Sequence, residues 1–218
     1  EGWRDGVLRP LAHVVDVNGN SRIDAGDLLN SPSWEDGIDT DGNGHVDDLI
    51  GWDWVSNDND PMDEQGHGTL TAGVLGAEGN NGVGMAGVNW NVQLMALRFE
   101  ATINMWTDES AANAIDYAVL MGVPISSNSW GTDVDAGGTH PLVYDAIARA
   151  GQAGHLFVSS AGNYSASIDP GFQERYPAGY DLANIVSVAA TNDDDLLADF
   201  SNWGVVNVDL AAPGQDVL

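Results

Sequence analysis

Residues 92–129, VQLMALRFEATINMWTDESAANAIDYAVLMGVPISSNS, decide the fold of this chain. Residues 92–99 form a mostly apolar run that predicts a buried strand, and residues 123–129 predict a second strand. Between them, residues 108–121 have two acids in the first turn, an apolar stripe at helical spacing and Gly122 as a candidate C-cap, so they predict a helix. This order of strand, helix and strand indicates one unit of a parallel sheet.

The same alternation continues toward the end of the chain. Residues 141–150 predict a helix that Gly151 and Gly154 end, and residues 156–160 predict the next strand. Two more strands are predicted at residues 185–190 and 205–211. We therefore predict an α/β fold with a doubly wound, mostly parallel sheet, helices on both faces and a functional site at the carboxyl ends of the strands.

The first part of the chain has a different composition. Residues 1–50 are rich in Asp, Asn and Gly, and we interpret them as a loop region that precedes, or is inserted into, the domain of residues 51–218. The chain has 33 acidic and 6 basic residues, and residues 1–64 hold 16 of the acids. An adaptation to high salt should spread acids over the whole surface, so local binding of cations explains this bias better.

The composition also excludes some classes of function. A net charge of −27 argues against nucleic acid or an anionic membrane as a partner. No apolar run is long enough to span a bilayer. The chain has no cysteine, which excludes disulfides and thiolate metal sites. Bound metal is then a plausible source of stability for an exported protein.

Residues 16–27, DVNGNSRIDAGD, have oxygen-bearing side chains at the spacing of a calcium-binding loop. Calcium binds several hard oxygens, and alternating Asp and Asn on a tight turn bring such oxygens together. The alternative is a polar turn without metal, because Asp, Asn and Gly favour turns in any case. The predicted ligands are Asp16, Asn18, Asn20, the carbonyl of Arg22, Asp24 and Asp27.

A second copy of this pattern starts at Asp39. Its twelfth position is Ile50, so this site needs Asp48 or a distant ligand to complete the coordination. A third group of four carboxylates lies in residues 53–63, where they repel one another unless a cation or solvent intervenes. From the second copy the predicted ligands are Asp39, Asp41, Asn43, the carbonyl of His45 and Asp47, and the third group contains Asp53, Asp58, Asp60 and Asp63.

The segment Gly66-His67-Gly68-Thr69 precedes residues with helical spacing. Glycine on both sides lets a histidine stand at a tight entry to a helix. A histidine placed in this way at the mouth of a sheet can act as a general base. Taken alone, the segment fits a structural histidine better than a catalytic one.

Several motifs in a fixed order resemble those of bacterial subtilisin-like serine proteases. The resemblance covers residues 37–218 and gives the sequence an expected fold of the subtilisin type. It implies that the chain comes from a serine endopeptidase that acts on proteins and peptides. The motifs are Gly51-Trp52-Asp53 with Gly66-His67-Gly68-Thr69, Asn128-Ser129-Trp130-Gly131, Ser160-Ala161-Gly162-Asn163 and Leu210-Ala211-Ala212-Pro213-Gly214.

The resemblance implies roles for individual residues. His67 would be the base of an Asp-His-Ser triad, and Asn163 would donate its amide to the oxyanion. Tyr176-Pro177 resembles a cis peptide of the family. The substrate would pair with Ser129, Trp130 and Gly131 and meet a pocket wall at Ala161 and Gly162, while calcium would bind beside the histidine at Asp53, Asp58 and Asp60.

The sequence also departs from the family pattern. It has no Gly-Thr-Ser segment for a nucleophile and no strand that ends in Asp-Thr-Gly or Asp-Ser-Gly. Asp16 is the one candidate for the triad aspartate, and it fits the calcium loop better. We therefore interpret the chain as a fragment whose triad Asp and Ser lie outside it, and we predict that the fragment alone is inactive.

Other interpretations remain open or fail. The main alternative is a catalytically inactive, subtilisin-like binding module stabilised by calcium. A dockerin-like adhesion module is far smaller, and a metalloprotease would need a His-Glu-x-x-His motif, which is absent. We expect a monomeric protein exported from a bacterium, with its signal peptide outside this chain.

Overall fold

The computed structural model describes residues 15–19, 21, 25–82, 84–102, 105–133 and 139–217. None of the helices in these ranges is long and apolar enough to span a membrane. In chain order the elements are α1 (Ala25–Leu28), β1 (Gly51–Asp53), α2 (His67–Gly76), β2 (Ala96–Arg98), α3 (Asp108–Leu120), β3 (Ile125–Asn128), β4 (Thr132–Asp133), α4 (Pro141–Gln152), β5 (Leu156–Ser160), β6 (Arg175–Tyr176), β7 (Ile185–Thr191) and β8 (Leu210–Pro213).

The predicted α/β fold with a mostly parallel sheet is confirmed. The strands β3, β5, β7 and β8 are neighbours in that order and pair in parallel. A second parallel pair joins β1 to β2, and β4 pairs with β6 in the antiparallel sense. In the part of the chain that is described, the parallel strands thus form two sheets.

Helices α3 and α4 pack on each other and on the four-stranded sheet. Their shared core is apolar and almost fully buried, with Phe157 of β5 and Ile147 of α4 both at 0% exposure. Helix α3 starts with a capping box between Thr107 and Ser110. It ends where Gly122 has a φ of 73°, as the predicted C-cap requires.

Helix α3 also connects the two parallel sheets. Its residue Tyr117 lies in a second buried cluster, with Trp52 of β1 and partly buried Leu97 of β2. Just beyond the carboxyl ends of β2 and β3, the rings of Phe99 and Trp130 lie 5.1 Å apart. The carboxyl ends of both sheets therefore lie on the same side of the molecule.

Two of the predicted strands are wrong in their bounds. Only residues 96–98 of the predicted strand 92–99 form ladder bonds, because β1, its partner, is three residues long. The strand predicted at residues 205–211 begins at Leu210. Residues 205–207 form a turn instead, since their backbone N–H groups donate to the carboxylate of Asp169.

Candidate active site

Helix α2 begins at His67. The preceding Gly66 has a φ of 86°, a left-handed conformation that glycine adopts without strain, so the predicted need for glycine is confirmed there. His67 is exposed, and none of the hydrogen bonds given by the described residues involves its imidazole. The backbone around Gly66 determines where the His67 side chain leaves the chain.

Asp63, which the sequence placed only in the third acidic group, holds this turn. Its Oδ1 accepts hydrogen bonds from the N–H groups of Gln65 and Gly66, at 2.9 and 2.8 Å. Its Oδ2 accepts from the N–H and the hydroxyl of Thr69, at 2.8 and 2.9 Å. These donors, the Thr69 N–H foremost, hold the pKa of Asp63 well below its usual range.

A buried ion pair attaches the same loop to the strands. Nη1 of Arg98, at the end of β2, lies 2.6 Å from Oδ2 of Asp53, whose side chain is 1% exposed. Nη2 of Arg98 lies 3.0 Å from Oε2 of Glu64, and Gln65 donates its side-chain amide to the carbonyl of Ala101. The loop before His67 is thus fixed to the carboxyl ends of β1 and β2.

Asn163 follows the carboxyl end of β5 and is exposed. Gly162 before it has a φ of 103°, and a Cβ there would lie 2.6 Å from Arg175 and Asn202. The side-chain amide of Asn202 donates to the carbonyl of the buried Ala161, and the backbone N–H of Asn202 donates to the carbonyl of Gly162. This packing fixes the backbone that carries the Asn163 side chain.

The segment Ser129-Trp130-Gly131 follows the carboxyl end of β3. Ser129 is exposed, whereas the Trp130 ring packs against Trp106, Phe99 and Phe157. Gly131 closely approaches its neighbours, since a Cβ there would lie 2.7 Å from the carbonyl oxygen of Tyr176. Arg175 donates to the carbonyl of Gly131 at 2.9 Å, and the predicted cis bond at Tyr176-Pro177 is present.

The residues implied by the family resemblance therefore lie at one side of the molecule. The loop that follows β1 leads to His67, the segment Ser129-Trp130-Gly131 follows β3, and Asn163 follows β5. All three strands point their carboxyl ends the same way. In an α/β protein this edge is where binding and catalytic groups are placed.

The comparisons with known proteins agree with this arrangement. The model of the subtilase family, peptidase S8, matches residues 20–217. The chain belongs to the subtilase family. It is 37% identical over 170 residues to a thermophilic serine proteinase of Bacillus sp. (strain AK1), which covers 78% of this chain and 39% of that protein. It is 36% identical over 165 residues to thermitase of Thermoactinomyces vulgaris, with coverages of 76% and 55%.

The comparison with solved structures also finds a subtilisin-like protease. The crystal structure of a cold adapted subtilisin-like serine proteinase matches this subtilase with a TM-score of 0.64 and 31% identity, over 77% of this chain and 55% of that one. The chain thus spans between 39% and 55% of the length of these three relatives. The predicted family is therefore confirmed, and the members of this family are serine endopeptidases.

The first predicted calcium loop of the subtilase is described only in part. Asp16 accepts hydrogen bonds from the N–H groups of Gly19 and Ser21, at 2.6 and 2.8 Å. Asp27 is fully buried, and its Oδ1 accepts from the N–H of Asn18 at 3.3 Å. The third and twelfth positions of the loop therefore come together. Three of the predicted ligands, Asn20, Arg22 and Asp24, lie outside the described residues.

In the second predicted loop, backbone and side-chain N–H groups donate hydrogen bonds to carboxylates of the same loop. Asp39 accepts hydrogen bonds from the N–H groups of residues 42–44, and these donors, Gly44 foremost, lower its pKa. The side-chain amide of Asn43 lies between two carboxylates, 3.2 Å from Oδ2 of Asp41 and 2.7 Å from Oδ2 of Asp48. Oxygen-bearing side chains from three of the predicted positions thus face one another.

His45 and Asp47 of this loop have other contacts. The His45 ring is half-buried and packs edge-on against Trp52 and Tyr117. Its carbonyl, the predicted ligand, is a separate group from the ring. Asp47 accepts hydrogen bonds from the N–H groups of residues 36–37 and so closes the start of the loop.

The third acidic group combines an ion pair with repulsion. Asp53 forms an ion pair with Arg98, so the group is not a cluster of carboxylates alone. Loss of hydration raises the pKa of Asp60, and the negative charges of Asp58, Asp53 and Glu35 raise it further. Throughout the described ranges, no three His, Cys, Asp or Glu side chains converge closely enough to hold a metal ion. Calcium binding therefore stays a prediction.

Proposed function

We propose that this chain is the part of a secreted bacterial serine endopeptidase that supplies the base and the oxyanion donor. The observation that carries the proposal is that His67 and Asn163 lie beyond the carboxyl ends of parallel strands, each directly after a glycine with a positive φ. The membership in the subtilase family supports it. The triad aspartate and serine belong to other parts of the protein.

In the proposed mechanism, His67 takes the proton from a serine hydroxyl as that oxygen attacks the peptide carbonyl. The imidazolium then returns the proton to the leaving amine. The exposed His67 ring is available for both transfers. The side-chain amide of Asn163 donates a hydrogen bond to the oxyanion, which contributes about 3–4 kcal/mol to stabilisation of the transition state.

The substrate in this proposal is a protein or peptide in an extended conformation. It pairs with the backbone of Ser129-Trp130-Gly131 as an added strand. The side chain before the scissile bond then lies against Ala161-Gly162. Arg175 supports both walls, because it donates to the Gly131 carbonyl and its side chain packs over Gly162.

We further propose that the acidic loops bind calcium. The donor set fits, since Asp and Asn oxygens are the ligands that calcium prefers. The amide of Asn43 lies between Asp41 and Asp48, where positive charge is favoured, and a half-turn of that amide presents Oδ1 in its place. Bound calcium would neutralise these carboxylates, and the residues that would hold it are Asp39, Asp41, Asn43, Asp48 and the carbonyl of His45, with Asp16, Asn18 and Asp27 in the first loop.

The catalytic proposal is tested in the full-length protein with a fluorogenic peptide. We expect His67→Ala to abolish turnover and Asn163→Ala to lower kcat by about 10²–10³-fold, with KM little changed. The 218-residue chain alone should show no turnover. Activity that survives His67→Ala would contradict the proposal, and a full-length protein without any activity would favour the alternative of an inactive binding module.

The calcium proposal is tested by thermal unfolding of this chain with calcium and with EDTA. Ligands that bind only the folded state raise the melting temperature, so we expect a clear decrease in EDTA. The variant Asp41→Asn should weaken the response, whereas Asp193→Asn, in an exposed turn far along the chain, should leave it unchanged. An identical melting temperature with and without EDTA would rule calcium out.

A further inference from the structure

The first turn of α2 lacks an ordinary cap. A helix leaves the N–H groups of its first turn without intrahelical partners, and a side chain at the N-cap usually accepts one of them. Gly66 is the N-cap here and has no side chain to offer. The N–H of Thr69, at the third helical position, donates instead to Oδ2 of Asp63.

The same carboxylate also fixes the turn that precedes the helix. Oδ1 of Asp63 accepts from the N–H groups of Gln65 and Gly66. One side chain therefore holds the backbone on both sides of the left-handed Gly66, the residue with the greatest conformational freedom in this segment. Its negative charge lies at the amino end of α2, where the helix dipole favours an anion.

We propose that Asp63 is the positioning residue of His67, whose imidazole it places by fixing the Gly66 turn and the first turn of α2. This rests on the proposed function only in the role given to His67. Asp63 itself touches neither substrate nor reacting atoms. Its carboxylate accepts hydrogen bonds from the loop and the first helical turn that carry His67.

The chemistry of a general base explains why such fixing matters. A base must lie within about 2.6–3.2 Å of the atom whose proton it removes, and a displacement of about 1 Å can lower a rate by about 10²-fold. The described contacts give the His67 imidazole no hydrogen-bond partner of its own. Its position then depends on the backbone to which Asp63 is bonded.

The neighbouring acids do not share this arrangement. Glu64 turns away to Arg98, and its side chain is 69% exposed. Asp169 provides a matched control, because its carboxylate also accepts three backbone N–H bonds, from residues 205–207, and its pKa is also lowered by them. It holds a turn that carries no catalytic side chain.

The first experiment uses NMR on the 218-residue chain and needs no activity. We expect Asp63→Asn to speed amide hydrogen exchange of Thr69 and Gly66 at least tenfold and to change the His67 χ1 rotamer population. Asp63→Glu, which keeps the carboxylate, should restore part of the exchange protection. Asp169→Asn should speed exchange at residues 205–207 and leave the His67 signals unchanged.

The second experiment measures kinetics in the full-length protein. We expect Asp63→Asn to lower kcat by about 10–100-fold with KM within about twofold, because substrate binding does not involve Asp63. Asp169→Asn should leave kcat within about twofold. A purely structural role for Asp63 would instead lower the folded fraction and leave kcat per folded molecule unchanged.

The outcomes separate the two proposals. Unchanged His67 rotamers and unchanged Thr69 exchange in Asp63→Asn would overturn the positioning role. If that variant does not fold, Thr69→Val removes only the hydroxyl bond and should give smaller changes in the same direction; no change at all would overturn the role. A full-length protein that is inactive while the NMR results hold would contradict the proposed function alone.

Discussion

The acid loops (residues 36–63) and the helical layer (α3 and α4 on β5 and β7) are held together by different forces. In the helical layer, side chains such as Ile147 and Phe157 are removed entirely from water. In the acid loops, carboxylates such as Asp39 and Asp63 accept hydrogen bonds from nearby backbone N–H groups. The acid loops therefore depend on ionised groups, whereas the helical layer depends mainly on the burial of apolar side chains.

Because of this difference, the residues of the candidate site are held in place by two kinds of interaction. Asn163 and Ser129 follow strands whose positions the apolar core fixes, while His67 follows a loop that charged groups fix. Burial of apolar surface is nearly independent of pH, whereas carboxylate bonds depend on ionisation. Conditions or mutations can therefore disturb the base of the proposed triad without disturbing the oxyanion donor.

The largest effect is expected from the apolar core. Phe157→Ala leaves a cavity under Trp130 and α4 and should lower the free energy of unfolding by about 3–5 kcal/mol, as measured by urea denaturation. Phe172→Ala, at a residue that is 70% exposed, should change it by less than about 0.5 kcal/mol. A loss below about 1 kcal/mol for Phe157→Ala would contradict the assigned core.

The next effect concerns the two arginine ion pairs. Arg98→Gln leaves Asp53 buried without its charged partner and should cost about 3 kcal/mol. Arg149→Gln breaks a pair with the same N–O distance of 2.6 Å, but both side chains are about half exposed, so it should cost at most about 1 kcal/mol. Equal losses in urea denaturation would show that burial does not distinguish the pairs.

Acid should weaken the loops before it weakens the helical layer. In these loops the folded pKa values of Asp39 and Asp63 are lowered by backbone N–H donors. Their stabilisation is complete above the unfolded value of about 4 and is lost as the pH falls through the folded values. Carboxyl carbon NMR titration and amide exchange between pH 7 and 2 measure this loss.

Asp60 gives the opposite sign and so sharpens the acid experiment. Its folded pKa is raised, hence its ionised form is disfavoured in the folded chain and protonation favours folding. Asp60→Asn should therefore be neutral or slightly stabilising at pH 7 without calcium. A clear destabilisation at that pH would contradict the assigned direction.

The smallest effect is expected where the two regions meet. The hydroxyl of Tyr117 on α3 donates to Oδ2 of Asp48 at 2.5 Å, and burial with this bond raises the Tyr117 pKa. Tyr117→Phe removes this bond but keeps the ring packing, so we expect a loss of about 1 kcal/mol. Asp48 keeps the Asn43 amide as a partner, and a loss above about 3 kcal/mol would contradict this picture.

Much of the helical layer could be predicted because its signals are local. The apolar stripe and Gly122 predicted α3, and the run at residues 156–160 predicted β5. The predicted strand at residues 205–211 failed because Asp169, over 30 residues away, takes the N–H groups that a ladder would need. An apolar run shows that a segment is buried or extended, but it does not show which groups accept hydrogen bonds from its backbone N–H groups.

The candidate site divides in the same way. The sequence by itself predicted which residues would carry the chemistry, His67 and Asn163, because short motifs that resemble those of the family mark the turns that hold them. It also located the acids, since charge is a property of composition. Only the tertiary structure decided what the acids do: Asp53 pairs with Arg98, and Asp63 holds the turn of His67. The reason is physical, since a carboxylate takes whichever donors the fold brings within about 3 Å, and the sequence does not contain that distance.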